Sequence, residues 1–364
     1  MNYYLPTKII FGEKTFKQLF SEIERLNIQN PFVLCGSHFV STMRFIDIKE
    51  NLKKYELFTG VKENPNFEFV DIVAKKFNEK NCDGIIAIGG GSTIDTAKVV
   101  SIMRNVKTCK KFFRKKNITK ETKVPLIALP TTAGSGSEAT KYAVISDKEN
   151  TKKTLSNDLL YPDVAIVDPE LTSTCPKNVT ASSGLDALSQ GIESYWAKNA
   201  FEETLMHSKN AIFFAYHNLE KAVFYPDKLA RHNMAFASLE AAKAFSQTGT
   251  TAPHTISRPF TKYYGLTHGF AVACTIPWFL DFYYDAMPDR IIELCNIIGA
   301  KSVEEAQNKI TALIKSVGGK TRLRDFGVKV NDFNKIVSES MMQKPQNPKK
   351  HTKQDIMRLL GELY

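Results

Sequence analysis

Three residues with metal-binding side chains, Asp186, His254 and His268, lie in the second half of the sequence. A carboxylate and two imidazoles suit a divalent metal such as Fe2+ or Zn2+. Gln190 follows Asp186 by four residues, so the two side chains face the same way on a helix. The histidines are too far apart to share a helical face, so we expect them to come from two other elements. The pattern predicts one metal site, with Gln190 as a fourth ligand or as a residue behind the ligands.

Two glycine-containing loops precede these residues and suit a nucleotide phosphate. The first runs from Gly89 to Lys98, directly after the apolar run IIAI, and opens a predicted helix near Ser92. Consecutive glycines allow close backbone approach and positive φ, and a helix N-terminus offers unpaired N–H groups to a phosphate. The second loop, Pro130 to Thr140, adds hydroxyls and two glycines. A tight turn without a ligand could explain the first loop alone, but the pair predicts a nucleotide site.

The elements that must position these residues change character along the chain. In the first half, short apolar runs alternate with helical patterns; these runs are Ile9 to Phe11, Phe32 to Cys35, Ile85 to Ile88, Leu126 to Leu129 and Val164 to Val167. Such runs are typical of parallel strands buried on both faces. After about Pro176 only long amphipathic segments follow. We therefore predict an α/β domain with a parallel sheet over residues 1–178, an all-helical domain over residues 179–364, and a catalytic cleft between them.

Composition favours an ordinary soluble protein. The chain has 364 residues, 43% of them hydrophobic and 24% charged. No apolar run reaches the roughly 18 to 20 residues of a membrane span, and the N-terminus does not resemble a signal peptide, so we expect a cytoplasmic protein without a membrane partner. The net charge of +11 is spread out, and its densest cluster, Lys110 to Lys116, is expected to be solvated. We therefore predict no nucleic-acid partner.

Taken in order, these motifs resemble the iron-containing (group III) alcohol dehydrogenase family along nearly the whole chain. The similarity runs through TKIIFG, GGGSTIDTAK, PTTAGSGSEAT, YPDVAIVDPEL and LDALSQGIESY to NPKKHTKQDIMRLL. The resemblance implies a Rossmann-like N-terminal domain and an all-helical C-terminal domain. It also implies one divalent metal, NADH or NADPH, an alcohol or aldehyde substrate and a homodimer.

The resemblance also assigns roles to particular residues. Asp186, His254 and His268 fall on the family's metal positions, whereas Gln190 stands where a histidine is usual. The predicted cofactor site consists of loop residues: Gly89, Gly90, Gly91 and Ser92 at the pyrophosphate, Thr131 and Thr132 near the adenosine, Lys152 on the nicotinamide side, and in addition Asp95 and Ser135.

Arg258 is a second difference from the family pattern, after Gln190. It stands where many members have a histidine that lines the substrate pocket. Arginine cannot act as an acid or base near neutral pH, so we assign no catalytic side chain and expect water or a cofactor ribose hydroxyl to relay the proton. An arginine does suit an oxyanion. Lys262 and Lys141 add positive charge nearby in the sequence. These three residues predict an anionic substrate, unless Arg258 pairs with Glu193 or Asp186.

The substrate and the cofactor preference follow from these departures. The segment around His254 is most similar to the family's phosphonoacetaldehyde reductase branch, so we expect reduction of phosphonoacetaldehyde; sulfoacetaldehyde, succinic semialdehyde and a neutral short-chain aldehyde are the alternatives. Gly36 and Ser37 follow the strand FVLC without a carboxylate. A 2′-phosphate would therefore meet no repulsion, which predicts that NADPH is accepted.

Two other readings remain open at this point. A dehydroquinate-synthase-like cyclase also uses NAD, a metal, a carboxylate and two histidines, but it regenerates its cofactor. A member of the family with a degenerate metal site would explain Gln190 and Arg258. Net consumption of NAD(P)H would exclude the cyclase, and a metal titration with a cofactor-binding assay would discriminate the degenerate member.

Overall fold

The computed structural model describes residues 2–115 and 118–364, and the end of the basic segment at residues 110–116 lies outside these ranges. The chain forms two compact units. An α/β unit comprises Tyr4–Thr132 and Gly136–Ser173. A helical unit comprises Thr174–Tyr364, together with the N-terminal residues up to Tyr3 and the short segment Ala133–Ser135.

The α/β unit is built on a parallel sheet. Its strands, together with those of a separate hairpin, are β1 Lys8–Phe11, β2 Pro31–Cys35, β3 Glu56–Thr59, β4 Gly84–Gly89, β5 Leu126–Pro130, β6 Tyr142–Ser146, β7 Lys152–Ser156 and β8 Val164–Val167. Within the described residues, the sheet has six strands in the order β1-β8-β5-β4-β2-β3, and every neighbouring pair is parallel. Strands β6 and β7 form the antiparallel hairpin.

Both faces of this sheet are covered. The helices of the unit are α1 Gln18–Arg25, α2 Met43–Asn51, α3 Phe67–Glu79, α4 Gly91–Ser101 and α5 Lys110–Lys115. On β4, Ile85 and Ala87 pack in one hydrophobic cluster, whereas Ile86 and Ile88 pack in another. Because successive side chains of a strand point to opposite faces, the strand must be apolar at every position. This explains the continuous apolar runs in the sequence.

The order of the strands fixes where a ligand can bind. From β2 the chain passes to β3 on one side and then to β4 on the other side of β2. The carboxyl ends of β2 and β4 therefore lie at the point where the strand order reverses, which is the usual ligand crevice of an open parallel sheet.

The helical unit contains ten α-helices within the part of the chain described: α6 Lys177–Tyr195, α7 Glu202–Phe224, α8 Lys228–Thr248, α9 Ala252–Tyr264, α10 His268–Ala273, α11 Ile276–Tyr284, α12 Pro288–Ile297, α13 Val303–Ser316, α14 Phe333–Ser340 and α15 Lys353–Leu363. Helix α6 is central, since every residue from Gly184 to Tyr195 is buried. The predicted fold class, a parallel-sheet domain followed by a helical domain, is confirmed. Among the described residues, no helix is both long and apolar enough to span a membrane.

Candidate functional site

Helix α6 carries a row of polar side chains on one buried face. Asp186 is followed by Gln190 and then by Glu193, at helical spacings of four and three residues, so the three lie along one side. Gln190 Nε2 donates to Asp186 Oδ2 at 3.0 Å, as the four-residue spacing predicts. Such groups are costly to bury without partners, so this face must meet further polar groups or a cation.

Two other helices bring the histidines to this face. His254 lies in the first turn of α9, after Pro253, which is well tolerated in a first turn. His268 is the first residue of α10. Gly269 allows α10 to lie directly on α6, because a Cβ there would stand 1.7 Å from the carbonyl oxygen of Ser182. The expectation that the two histidines come from separate elements is confirmed.

The three predicted ligand residues converge on one point. Asp186 Oδ1 lies 3.4 Å from His254 Nε2 and 3.7 Å from His268 Nε2, and the ligand atoms of the three residues all lie within 4.8 Å of one another. Metal–ligand bonds of about 2.1 Å in a tetrahedron place ligand atoms about 3.4 Å apart. The oxygen and nitrogen donors therefore fit one divalent ion without rearrangement of the helices.

Gln190 is consistent with either of its predicted positions. Its Nε2 is used by Asp186, but its Oε1 is buried and accepts no hydrogen bond from the described residues. An unsatisfied buried amide oxygen is costly, and a cation beside Asp186 would remove that cost. The geometry thus leaves Gln190 as a fourth ligand or as a residue that orients Asp186.

Glu193 is a component of the site that the sequence analysis missed. Its side chain is fully buried, and Oε1 accepts from Thr251 N and Thr251 Oγ1, both at 2.9 Å, and from His254 N at 3.3 Å. Its Oε2 contacts His254 Nδ1. A carboxylate on Nδ1 leaves Nε2 as the lone-pair atom that faces a metal. The helical spacing of Glu193 from Asp186 and Gln190 was the feature of the sequence that could have identified it.

The two carboxylates also control the charge of His254. Burial lowers the pKa of this ring, but Glu193 and Asp186 outweigh burial and raise the pKa to about 9. The surroundings of His254 therefore strongly favour positive charge, which a proton or a metal ion can supply.

Arg258 lies one turn after His254 on α9. Within residues 2–115 and 118–364, no carboxylate oxygen lies within 4 Å of its guanidinium, so pairing with Glu193 or Asp186 is not observed. Burial lowers its pKa. By contrast, Lys262 lies 3.8 Å from Glu339, and Lys141 of the α/β unit lies 3.5 Å from Asp158. Among the three predicted substrate-binding residues, Arg258 alone lacks a carboxylate partner in the described chain.

In the α/β unit, several predicted cofactor residues lie at the carboxyl ends of strands β2, β4 and β5. Gly36 and Ser37 follow β2, and Gly36 N donates to Ile88 O of β4 at 3.4 Å. Gly90 caps α4 without a side-chain hydrogen bond, so the helix N-terminus is left for an anion. Thr131 N donates to Gly89 O at 3.1 Å. The glycine loop and the threonine loop thus follow neighbouring strands, as predicted.

One of the two reasons expected for glycine in the first loop, positive φ, is wrong. Gly90 in the first loop has φ −76°. A glycine in the left-handed conformation occurs instead in the second loop, at Gly136, with φ 59°. At Gly89 a Cβ would lie 2.4 Å from Thr93 Oγ1. Glycine is therefore required there because the strand end and the helix lie close together, and not for positive φ.

Three other predicted cofactor residues have contacts of their own. Asp95 accepts from Ser137 Oγ at 2.5 Å and from Val144 N at 2.8 Å, which ties α4 to the second loop and to β6. Burial raises the pKa of Asp95, while Lys98 and Lys152 oppose this; Lys152 opens strand β7. Ser135 belongs to the helical unit. The preceding residue, Gly134, packs against Ser183 of α6, because a Cβ on Gly134 would lie 2.5 Å from the Cβ of Ser183.

Two family models cover nearly all of the chain. The model described as iron-containing alcohol dehydrogenase matches residues 6–169, and the one described as Fe-containing alcohol dehydrogenase family, C-terminal, matches residues 180–364.

Similar proteins extend over the full length. The NAD-dependent methanol dehydrogenase of Bacillus methanolicus is 29% identical, with 99% of this chain and 98% of that protein covered. The 4-hydroxybutyrate dehydrogenase of Cupriavidus necator is 30% identical with the same coverage, 99% and 98%. The solved structure of sulfoacetaldehyde reductase from Bifidobacterium kashiwanohense in complex with NAD+ has a TM-score of 0.94 and 30% identity, covering 100% of this chain and 98% of that one.

Proposed function

We propose that this chain, which belongs to the iron-containing alcohol dehydrogenase family, reduces a short anionic aldehyde to its alcohol with NADPH or NADH. Phosphonoacetaldehyde is the first candidate, and sulfoacetaldehyde and succinic semialdehyde follow. The observation that carries the proposal is Arg258, a partly buried cation near the metal ligands without a carboxylate partner among the described residues.

In the proposed mechanism, Asp186, His254 and His268 hold one divalent ion, Fe2+ or Zn2+, with Gln190 beside them. Such an ion supplies Lewis-acid polarisation of a carbonyl oxygen. Glu193 fixes the ring of His254 so that Nε2 points to the ion. Arg258 binds the anionic end of the substrate and orients the aldehyde, and it does not act as a general acid because its guanidinium keeps its proton.

The anionic substrate is supported by charge and by similarity. A buried cation is costly unless an anion accompanies it, and a guanidinium forms paired hydrogen bonds to a phosphonate, sulfonate or carboxylate. One relative is named a sulfoacetaldehyde reductase and another a 4-hydroxybutyrate dehydrogenase. The compounds in both names are short chains with an anionic group at the end away from the aldehyde or alcohol. Arg258 would recognise that group.

The cofactor is proposed to occupy the crevice of the parallel sheet. It supplies the hydride, and the uncapped start of α4 and the hydroxyls of Thr131 and Thr132 would hold its phosphates and adenosine. Since no carboxylate follows β2 at Gly36 and Ser37, we expect NADPH to be used. A kcat/KM for NADH well above that for NADPH would rule out this preference. The homodimer is proposed from the family resemblance, and the cytoplasmic location is proposed from the N-terminal sequence, which does not resemble a signal peptide.

The test compares Arg258→Ala with the unchanged protein on an anionic and a neutral aldehyde of equal length. A hydrogen-bonded charge contact is worth about 1.5 to 3 kcal/mol, so kcat/KM should fall about ten- to a hundredfold on the anion alone. Arg324→Ala removes an exposed arginine of the same unit and should change neither substrate. Equal losses on both aldehydes, or an unchanged protein that prefers the neutral one, would overturn the proposal.

A further inference from the structure

Lys344 reaches the start of helix α9 from a distant part of the chain. It lies between α14 and α15, in the sequence QKPQNPKK. Its Nζ donates to Thr250 Oγ1 at 2.6 Å, and Gln346 Nε2 donates to Thr250 O at 2.5 Å. Gln346 O in turn accepts from Lys198 N at 2.9 Å. These contacts hold the segment against the residues just before the first turn of α9, where His254 lies.

The ammonium of Lys344 has donors to spare. It offers three N–H groups, and the structure gives it one hydrogen-bond partner among the described residues, Thr250 Oγ1. No carboxylate of that part of the chain lies within 4 Å of it. The acidic neighbour, Glu193, already accepts four hydrogen bonds from Thr251 and His254. Glu193 therefore has little hydrogen-bonding capacity left for Lys344.

Lys344 and Arg258 are placed on either side of His254 along this part of the chain: Lys344 contacts Thr250, four residues before His254, and Arg258 follows His254 by four residues on α9. Burial lowers the pKa of Lys344 to about 8; Glu193 acts against this lowering, and Arg258 adds to it. Two neighbouring cations in a partly buried site destabilise one another unless an anion lies between them. Neither cation has a carboxylate oxygen within 4 Å among the described residues, and Glu193 offsets the charge of Lys344 only from beyond that distance. A bound anion would neutralise both cations directly.

We propose that Lys344 and Arg258 together form a two-cation site for the oxyanion of the substrate, and that Lys344 sets a preference for a doubly charged phosphonate over singly charged sulfonates and carboxylates. This inference rests on the proposed function, because it concerns the anionic end of the same substrate. Lys344 is here a specificity-determining residue that touches substrate.

The preference follows from charge. A phosphonate, like a phosphate ester, has a second ionisable proton and can therefore carry two negative charges, whereas a sulfonate carries one at any pH of interest. The planar fork of Arg258 can satisfy one oxyanion edge with two parallel hydrogen bonds. A second cation therefore contributes most when a second negative charge is present. A tetrahedral phosphonate or sulfonate also has a third oxygen left for the spare donors of Lys344, which a carboxylate lacks.

The experiment measures kcat/KM of Lys344→Met on phosphonoacetaldehyde, sulfoacetaldehyde and propanal. We expect a loss of about ten- to a hundredfold on phosphonoacetaldehyde, a loss smaller by about tenfold on sulfoacetaldehyde, and no change on propanal. Lys344→Arg should recover most of the activity on phosphonoacetaldehyde. Lys350→Met removes an exposed lysine of the same segment and should behave like the unchanged protein.

A second measurement avoids the proposed substrate. Inorganic phosphate and methanesulfonate, which carries a single negative charge, are tested as inhibitors of propanal reduction, and Lys344→Met should weaken inhibition by phosphate about tenfold or more while changing inhibition by methanesulfonate less. Equal losses on all three aldehydes together with unchanged inhibition by phosphate would indicate a structural role for Lys344 and overturn the inference. If Arg258→Ala discriminates between anionic and neutral aldehydes but Lys344→Met does not, this inference fails and the proposed function stands. If Arg258→Ala does not discriminate, the proposed function itself fails.

Discussion

Replacing Glu193 with glutamine should weaken metal binding without removing any ligand. Glu193 Oε1 accepts three hydrogen bonds from Thr251 and His254, and Oε2 accepts the one from His254 Nδ1. A glutamine has one oxygen for these two sets of donors. If that oxygen replaces Oε1, the amide NH2 faces Nδ1, and the imidazole must carry its proton on Nε2.

The magnitude follows from the geometry at Nε2. This nitrogen is the one that lies 3.4 Å from Asp186 Oδ1, and with a proton attached it cannot donate its lone pair to a metal. Loss of a carboxylate that orients a ligating histidine typically lowers metal affinity about 10- to 100-fold, which corresponds to about 1.4 to 2.8 kcal/mol. We expect Glu193→Gln to fall within this range.

The assay titrates metal-free protein with Zn2+ in competition with a chromophoric chelator. Glu240→Gln is the matched control, because Glu240 is also a buried carboxylate hydrogen-bonded to a histidine, His207 Nδ1 at 2.8 Å, but on helices α7 and α8. That control should lose stability and keep its metal affinity. A Glu193→Gln protein that binds Zn2+ within about twofold of the unchanged protein would refute the argument that the Nδ1 contact sets the tautomer.

Two further predictions concern packing and pH. Gly269→Ala should weaken metal binding and lower the free energy of unfolding by about 1 to 3 kcal/mol or more, because a Cβ would lie 1.7 Å from a carbonyl oxygen of α6 and displace His268. Gly361→Ala on α15, where a Cβ meets nothing within 4 Å, is the control and should be neutral or stabilising in denaturant titrations; equal effects of the two changes would contradict the packing argument. Burial raises the pKa of Glu240, but its hydrogen bonds, chiefly that from His207, outweigh burial and lower the pKa from 4.5 to about 2. Because the pKa of Glu240 is lower in the folded than in the unfolded protein, the unchanged protein should be more stable than Glu240→Gln by about 1 to 3 kcal/mol at pH 7. This advantage should shrink as the pH falls from 4.5 towards 2. If urea unfolding gives the same difference at pH 7 and pH 3, the Glu240 carboxylate is not responsible for it.

Local patterns in the sequence were sufficient for much of the fold. The strands with continuous apolar runs were predicted because burial on both faces of a parallel sheet leaves no polar position. Strands β3 and β7 were missed because their residues are mostly exposed or half-buried and have no such run. Strand β6 was also missed, although it has the short apolar run Tyr142 to Ile145. No bounds were predicted for helix α9, since Pro253, Pro259 and Gly265 interrupt its pattern. Proline in the first turn and glycine at the C-terminal end are nevertheless compatible with a helix.

The sequence by itself determined which residue types could bind a metal and a nucleotide, because Asp186, His254 and His268 have the donor atoms and the glycine loops follow buried strands. Only the tertiary structure decided how these residues work together. Thr250 and Lys344 are separated by 94 positions, and no periodicity links them. Glu193 becomes the partner of His254 only when α9 packs on α6. These contacts depend on how whole helices and connecting segments pack against each other. Such packing is a long-range property that the local pattern of a single sequence does not reveal.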